Sequence, residues 1–283
     1  MDRERAGGAA TPSQPPAYGI GPEGFRLDGQ VALVTGASRN IGAAIAGSFA
    51  RAGADVLMVA RGKERLAAVA GRIRQQAPDR RIETATADVG DPEALQALAD
   101  HAHETFGRVD TLVNNAFDAG LDENANLLDT TDATWERLVS RNLLGPLRLT
   151  RAVARGMIER GGGNVINLVS GSGLLPNSAP GHLPAPTMAP YGVTKGALWT
   201  LTRYLAAELA PQIRVNALCP GLTSEDGGMR VEEPYERLLR SGAVPLNRIA
   251  RPEEVAGAAV YLTSPAASYT TGEILITNGG RAF

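Results

Sequence analysis

The stretch Val31-Ala32-Leu33-Val34-Thr35-Gly36-Ala37-Ser38-Arg39-Asn40-Ile41-Gly42 decides the fold. Its first five residues form a continuous apolar run, too uniform for a strand with one wet face and suited to a strand buried on both faces of a parallel sheet. A glycine-rich turn follows, then residues 43–52, a helical stretch with few breakers. Strand, turn and helix in that order point backbone N–H groups at a phosphate. A dinucleotide is the natural ligand, held around Gly36, Ser38, Arg39, Asn40, Ile41 and Gly42. A purely structural βα turn is the alternative for a glycine pair taken alone.

Moving outward, the apolar run 55–60 ends about 18 residues after Gly42, where a carboxylate would hold the ribose 2′-hydroxyl of NAD. None is there. Arg61 follows the run and Arg39 sits in the glycine turn, so two guanidiniums could flank a 2′-phosphate. That favours NADP over NAD, against the alternative that both arginines are solvated surface. Further apolar runs at 82–87, 109–113 and 164–169 alternate with helix-like segments, including 92–106 and 135–150.

The chain of 283 residues is 43% hydrophobic and 20% charged, enough for one large α/β domain or two small ones. Residues 1–24 mix glycine and proline with polar residues, show no periodicity and read as a disordered or loosely attached tail. A net charge of −2 with no run of Lys or Arg argues against nucleic acid or an anionic membrane as the main partner and leaves small molecules. The single cysteine, Cys219, excludes an internal disulfide framework, and the three histidines have no partners at zinc-ligand spacing, so no metal is expected. No apolar stretch approaches the roughly 20 residues of a membrane span, and the N-terminus lacks the apolar core of a signal peptide, so a cytoplasmic location is expected.

The chemistry centres on Tyr191-Gly192-Val193-Thr194-Lys195. A tyrosine and a lysine four residues apart on a helix face the same way and can share a substrate. Only two of the 28 basic residues are lysines, and an ammonium is a compact charge that fits beside a phenol. A tyrosine of pKa about 10 is a poor acid or base at neutrality, so the lysine is expected to lower it. An ordinary exposed helical pair is the rival reading.

Together, the Thr35-Gly36 turn ending in Ile41-Gly42, Asp88, Asn114-Asn115-Ala116, Asn142, Ser170, the Tyr191/Lys195 pair and Pro220-Gly221 resemble the short-chain dehydrogenase/reductase family, in the manner of a ketoreductase or 3-oxoacyl reductase. The resemblance runs from about residue 27 to residue 280. It implies a single Rossmann-type α/β domain at 25–283, a doubly wound parallel sheet of about seven strands with helices on both faces. It implies a homo-oligomer, a tetramer before a dimer. It also places Asp88 and Val89 beside the adenine, Asn114 as a brace between central strands, and Asn115 and Ala116 at the cofactor. Pro220, Gly221, Leu222 and Thr223 line the nicotinamide side. Ser170 is the catalytic serine, with Ser172 as fallback, Tyr191 the proton donor, Lys195 its partner and ribose ligand, and Asn142 the holder of a water near the lysine. Cys219 is expected to be a packing residue.

The sequence departs from the family at four places. Asn40 replaces the middle glycine of the turn, although asparagine tolerates left-handed backbone. Phe117 replaces the usual glycine after Asn-Asn-Ala, and either narrows the site or contacts substrate. Glu225 stands where a threonine is usual, with Thr223 and Ser224 beside it as substitutes. Finally, Tyr191 lies 21 residues after Ser170, several more than usual, and the intervening 174–190 is rich in proline. We read that segment as a stiffened loop over the cleft, with His182 as its only ionisable side chain and an uncharged substrate as its consequence. A surface excursion that never meets substrate is the alternative.

The expected activity is NADPH-dependent reduction of a ketone to a secondary alcohol, or the reverse, by Ser170, Tyr191, Lys195 and Asn142. Two rivals are a cofactor-retaining epimerase or cyclisation step and a non-catalytic NADP-binding partner protein.

Overall fold

A computed structural model describes residues 20–120, 127–175, 188–225, 236 and 239–281. Seven parallel strands form one sheet in the order β3-β2-β1-β4-β5-β6-β7. The strands are β1 (Val31–Thr35), β2 (Asp55–Ala60), β3 (Ile82–Thr86), β4 (Thr111–Asn114), β5 (Gly163–Leu168), β6 (Ile213–Pro220) and β7 (Ile274–Thr277). Crossovers run through α1 (Asn40–Ala52), α2 (Lys63–Gln76), α3 (Pro92–Phe106), the pair α4 (Asp132–Val139) and α5 (Gly145–Glu159), α6 (Ala189–Leu209) and α7 (Pro252–Thr263).

Alternation along each buried strand builds a core on each face of the sheet. Ala32 and Val34 of β1, with Val56 and Met58 of β2, pack under α1, α2 and α7. Leu33, Leu57 and Val59 point the other way, to Leu95 and Leu98 of α3 and Leu149 and Val153 of α5. Period-two side-chain direction thus makes one apolar run serve both layers. Leu27, fully buried, is where the chain joins the first core, just after a 3-10 turn at Pro22–Phe25 that straddles the end of the expected tail.

The strand order reverses between β1 and β4, the place where doubly wound sheets open a crevice for ligands at their carboxyl ends. Buried polar side chains fix that end of the sheet. Asn114 and Asn167 face each other across β4 and β5, with Asn114 Nδ2 donating to Asn167 Oδ1 at 2.9 Å. Asn167 Nδ2 donates in turn to Thr202 Oγ1 of α6 at 3.0 Å. Unpaired, such amides would be expensive to bury; paired, they set the height of α6 against the sheet.

Candidate active site

At the crevice, the glycine turn is closed by the end of β4 and the two residues after it. Thr35 Oγ1 donates to the Val113 carbonyl and accepts from the backbone N–H of both Asn115 and Ala116. Asn115 Nδ2 donates to the Thr35 carbonyl at 2.9 Å and the Gly36 carbonyl at 3.2 Å. Asn115 therefore braces the turn, and its side-chain amide is spent on backbone. A Cβ on Gly42 would meet the Gly36 carbonyl and the Asn115 amide, so only glycine fits where α1 approaches the turn. Asn40 begins α1 at φ 46°, the left-handed geometry asparagine accepts, and its buried Oδ1 has no partner. A glycine turn at the head of a 13-residue helix fits a cofactor's phosphates.

Arg39 immediately precedes α1 and Arg61 immediately follows β2, both exposed. Glu225 reaches the same helix end, accepting from the Asn40 N–H at 2.7 Å and from Arg65 at 3.2 Å. Of the residues proposed as substitutes for the missing threonine, Thr223 turns its hydroxyl back to the Gly221 carbonyl at 3.1 Å. Pro220 ends β6, and Gly221 bonds through its N–H to the Thr277 carbonyl at 2.9 Å, with Leu222 accepting from Ala250 on the next segment.

Tyr191 and Lys195 share a buried face of α6, at 8% and 2% exposure. This excludes the exposed-pair reading. Ser170 leads into the 3-10 turn Gly171–Gly173, where its Oγ accepts from the Ser172 N–H and its hydroxyl is near enough to the Tyr191 phenol to lower the phenol's pKa. Close packing makes this possible: a Cβ on Gly173 would lie 2.5 Å from the Gly196 nitrogen, and one on Gly192 2.6 Å from the Ser172 carbonyl. The serine turn can rest on α6 only because both surfaces are glycine there.

Electrostatics correct one expectation. Burial pushes the Tyr191 phenol up to about 12, against the lowering effect of Ser170. Burial also drives Lys195 down to about 7. Desolvation of both groups outweighs any help the ammonium gives the phenolate, so Tyr191 is held as an acid at neutrality. Lys195 Nζ lies 5.7 Å from the Tyr191 ring centre and 5.4 Å from that of Phe117, whose ring is tilted against Tyr191 at 5.8 Å. Phe117 thus stands over both residues while 53% exposed. Cys219, fully buried, packs with Val169, Leu198 and Ala217.

Asn142 is fully buried in a π-helical turn, Ser140–Leu144, between α4 and α5. Its Oδ1 accepts from the Asp118 N–H at 2.8 Å, while Nδ2 donates to the Asp118 carbonyl at 2.8 Å and to Thr194 Oγ1 at 3.1 Å. Both side-chain N–H bonds are thus used inside the protein, on Asp118 and Thr194. Asp88 is likewise engaged, accepting from the Gly90 N–H and from Arg141. Burial works against its ionisation, but those two donors hold its carboxyl below the usual range. Val89 follows it, its carbonyl against Gly145. His182 lies outside the described residues, as does most of 174–190.

Sequence reading missed Asp118, Arg137, Arg141 and Thr194. Asp118 stands two residues after Ala116, and Arg141 directly before Asn142; that adjacency to the motif residues was the available signal.

A family model described as enoyl-(acyl carrier protein) reductase, of the short-chain alcohol dehydrogenase type, matches residues 36–282. The chain is a short-chain dehydrogenase/reductase. It is 40% identical over 261 residues to galactitol 2-dehydrogenase (L-tagatose-forming) of Cereibacter sphaeroides, covering 90% of this chain and 96% of that one. Among solved structures, it resembles gluconate 5-dehydrogenase of Burkholderia cenocepacia in complex with NADP and tartrate (TM-score 0.79, 33% identity, 91% and 97% of the two chains). L-Sorbose reductase of Gluconobacter frateurii, complexed with NADPH and L-sorbose, gives a TM-score of 0.80 at 30% identity, covering 91% and 98%. Like its family, this short-chain dehydrogenase/reductase is an oxidoreductase acting on alcohol and carbonyl groups. Among its described residues no helix is long and apolar enough to cross a membrane, and no group of three His, Cys, Asp or Glu could hold a metal ion.

Proposed function

We propose that this enzyme reduces a ketone to a secondary alcohol with NADPH, the reverse oxidation being open to the same residues. The observation that carries this reading is the packing of the Ser170 turn against α6, beside Tyr191 and a fully buried lysine on the same helix face. NADPH, when bound, supplies the hydride. Ser170 orients the carbonyl oxygen, and Tyr191, kept protonated by burial, gives that oxygen its proton. Lys195 contacts the cofactor ribose and contributes charge near the developing alkoxide. The glycine turn 36–42 takes the pyrophosphate, Arg39 and Arg61 the 2′-phosphate, Asp88 and Val89 the adenine, and the segment 220–223 the nicotinamide side.

Support for NADP comes from the two arginines and from the NADP and NADPH complexes of similar proteins. The similar enzymes named for sugars and polyols point to a small ketone or hydroxyketone, uncharged at the reacting carbon. Phe117, Ser172 and His182 would contact it. We further infer a cytoplasmic homo-oligomer, a tetramer, from family membership; light scattering that shows a monomer at micromolar concentration removes that part. For the reaction itself, incubation with deuteride-labelled NADPH and a cell extract, followed by mass spectrometry, should yield a product carrying one deuterium on a carbinol carbon. Transfer of label to no product, or turnover with NADH alone, rejects it.

A further inference from the structure

Phe117 occupies a position over Tyr191 and Lys195 while itself 53% exposed. The constraint on that position comes from the next residue. Asp118 has both peptide groups bonded to the side chain of Asn142, whose amide is also bonded to Thr194 on α6, one residue before Lys195. Its carboxylate, only 14% exposed, accepts from the Gly120 N–H and is ion-paired with both Arg137 and Arg141. Arg141 reaches on to Asp88 at 2.8 Å. Asp118 is therefore held from four directions, by α4, by the π-helical turn, by its own following turn and, through Asn142, by α6. A side chain tied in this way fixes the direction of the backbone before it, and that backbone carries Phe117.

We propose that Asp118 is a positioning residue whose ion pairs and peptide bonds hold Phe117 as a fixed wall over Tyr191 and Lys195, and that this wall admits ketones with one short substituent. The substrate part rests on the ketone reduction proposed above. With the carbonyl oxygen fixed between Ser170 and Tyr191, the two carbon substituents leave in opposite directions. A rigid ring 5.8 Å from the Tyr191 ring leaves little room on its side. A methyl or hydroxymethyl group fits there better than a longer chain.

Two measurements test this, one of which needs no turnover. The chain has only two lysines, Lys63, exposed at the start of α2, and Lys195, 2% exposed beneath Phe117. Limited acylation with acetic anhydride, read by mass spectrometry as Lys195 modification relative to Lys63, reports how well the ring covers the lysine. In Phe117→Gly and in Asp118→Asn that ratio should rise by about threefold or more, the scale of one partly desolvated cation–π contact. The second measurement is the ratio of kcat/KM for methyl pentyl ketone over its isomer dipropyl ketone. The wild type should prefer the methyl ketone, and Phe117→Gly should reduce that preference by about tenfold, the scale of methylene-sized discrimination in a pocket. Asp118→Asn should shift it in the same direction by a smaller factor. In the Phe117→Gly background, Asp118→Asn should add nothing, since the wall it positions is gone.

Asp118→Asn with wild-type labelling and wild-type preference overturns the proposal, as does a double variant in which the two effects add in full. If Asp118→Asn does not fold, Arg141→Gln, which leaves Asp118 one guanidinium short, is read by the same criteria. Should the wild type reduce neither ketone with NADPH, the short-substituent part of the proposal fails, deuteride transfer decides ketone reduction separately, and Lys195 labelling alone decides whether Asp118 positions Phe117.

Discussion

Lys195 Nζ donates to the carbonyl oxygen of Leu168 at 2.6 Å. Leu168 is the last residue of β5, two positions before Ser170, so the lysine ties the catalytic helix to the strand that delivers the serine. The contact satisfies one of the three ammonium donors of a lysine that is only 2% exposed.

Burial of this ammonium makes stability pH-dependent. The lysine takes its proton near 10.5 when unfolded and near 7 when folded. Between those values the unfolded chain binds more protons, so stability should rise as pH goes from about 7 toward 10.5. Tyr191 acts oppositely at higher pH: its folded value of about 12 exceeds the ordinary 10, and stability should fall across that interval. Thermal melts of wild type and Lys195→Met at pH 7 and pH 9 check the first limb. Wild type should gain on the variant between the two, and parallel behaviour would rule out a buried, proton-losing Lys195.

Removing only the proton donor should separate chemistry from binding. Tyr191→Phe should lower kcat by about two to four orders of magnitude, the range of general acid catalysis. The NADPH dissociation constant, measured by fluorescence titration, should stay within about threefold of wild type, because a hydroxyl contact removed from the reacting end is not a phosphate contact. A variant with near-normal kcat would reassign the proton donor.

Arg61 follows β2, and its charge already contributes to holding the Asp88 carboxyl low. Arg61→Asp, alone or with Arg39→Ala, should weaken NADPH by at least about tenfold, since a charged hydrogen bond contributes roughly 1.5–3 kcal/mol. The ratio of kcat/KM for NADPH over NADH is the measurement. An unchanged ratio, or a wild type that prefers NADH, removes the two-arginine phosphate site.

At the contact between the serine turn and α6, a Cβ on residue 196 would lie 2.8 Å from the Gly173 carbonyl, a backbone atom with little freedom to move. Gly196→Ala should therefore destabilise the protein by about 1–3 kcal/mol, the usual result of overpacking. It should also lower kcat by pushing Ser170 from Tyr191. Urea midpoints together with single-turnover rates test both effects; a stable variant at full rate would show that the turn can retreat without harm.

By itself the sequence determined the layers of this protein. Apolar runs such as Val31-Ala32-Leu33-Val34, broken by glycine turns and separated by helix-like stretches, allow only a parallel sheet covered on both faces, because each residue's direction follows from local backbone period. Helical spacing likewise marked Tyr191 and Lys195, four residues apart on one face, while Ser170 was marked by the resemblance to the family. Tertiary structure alone decided what these groups do to one another. Asn115 and Thr35 lie 80 positions apart in the chain, and Asp118 and Arg141 lie 23 apart. No local period encodes such meetings. Spacing also cannot report desolvation: the expectation that Lys195 lowers the phenol reversed because burial depends on how closely Phe117, β5 and α6 pack around the pair, and removing water penalises both charges.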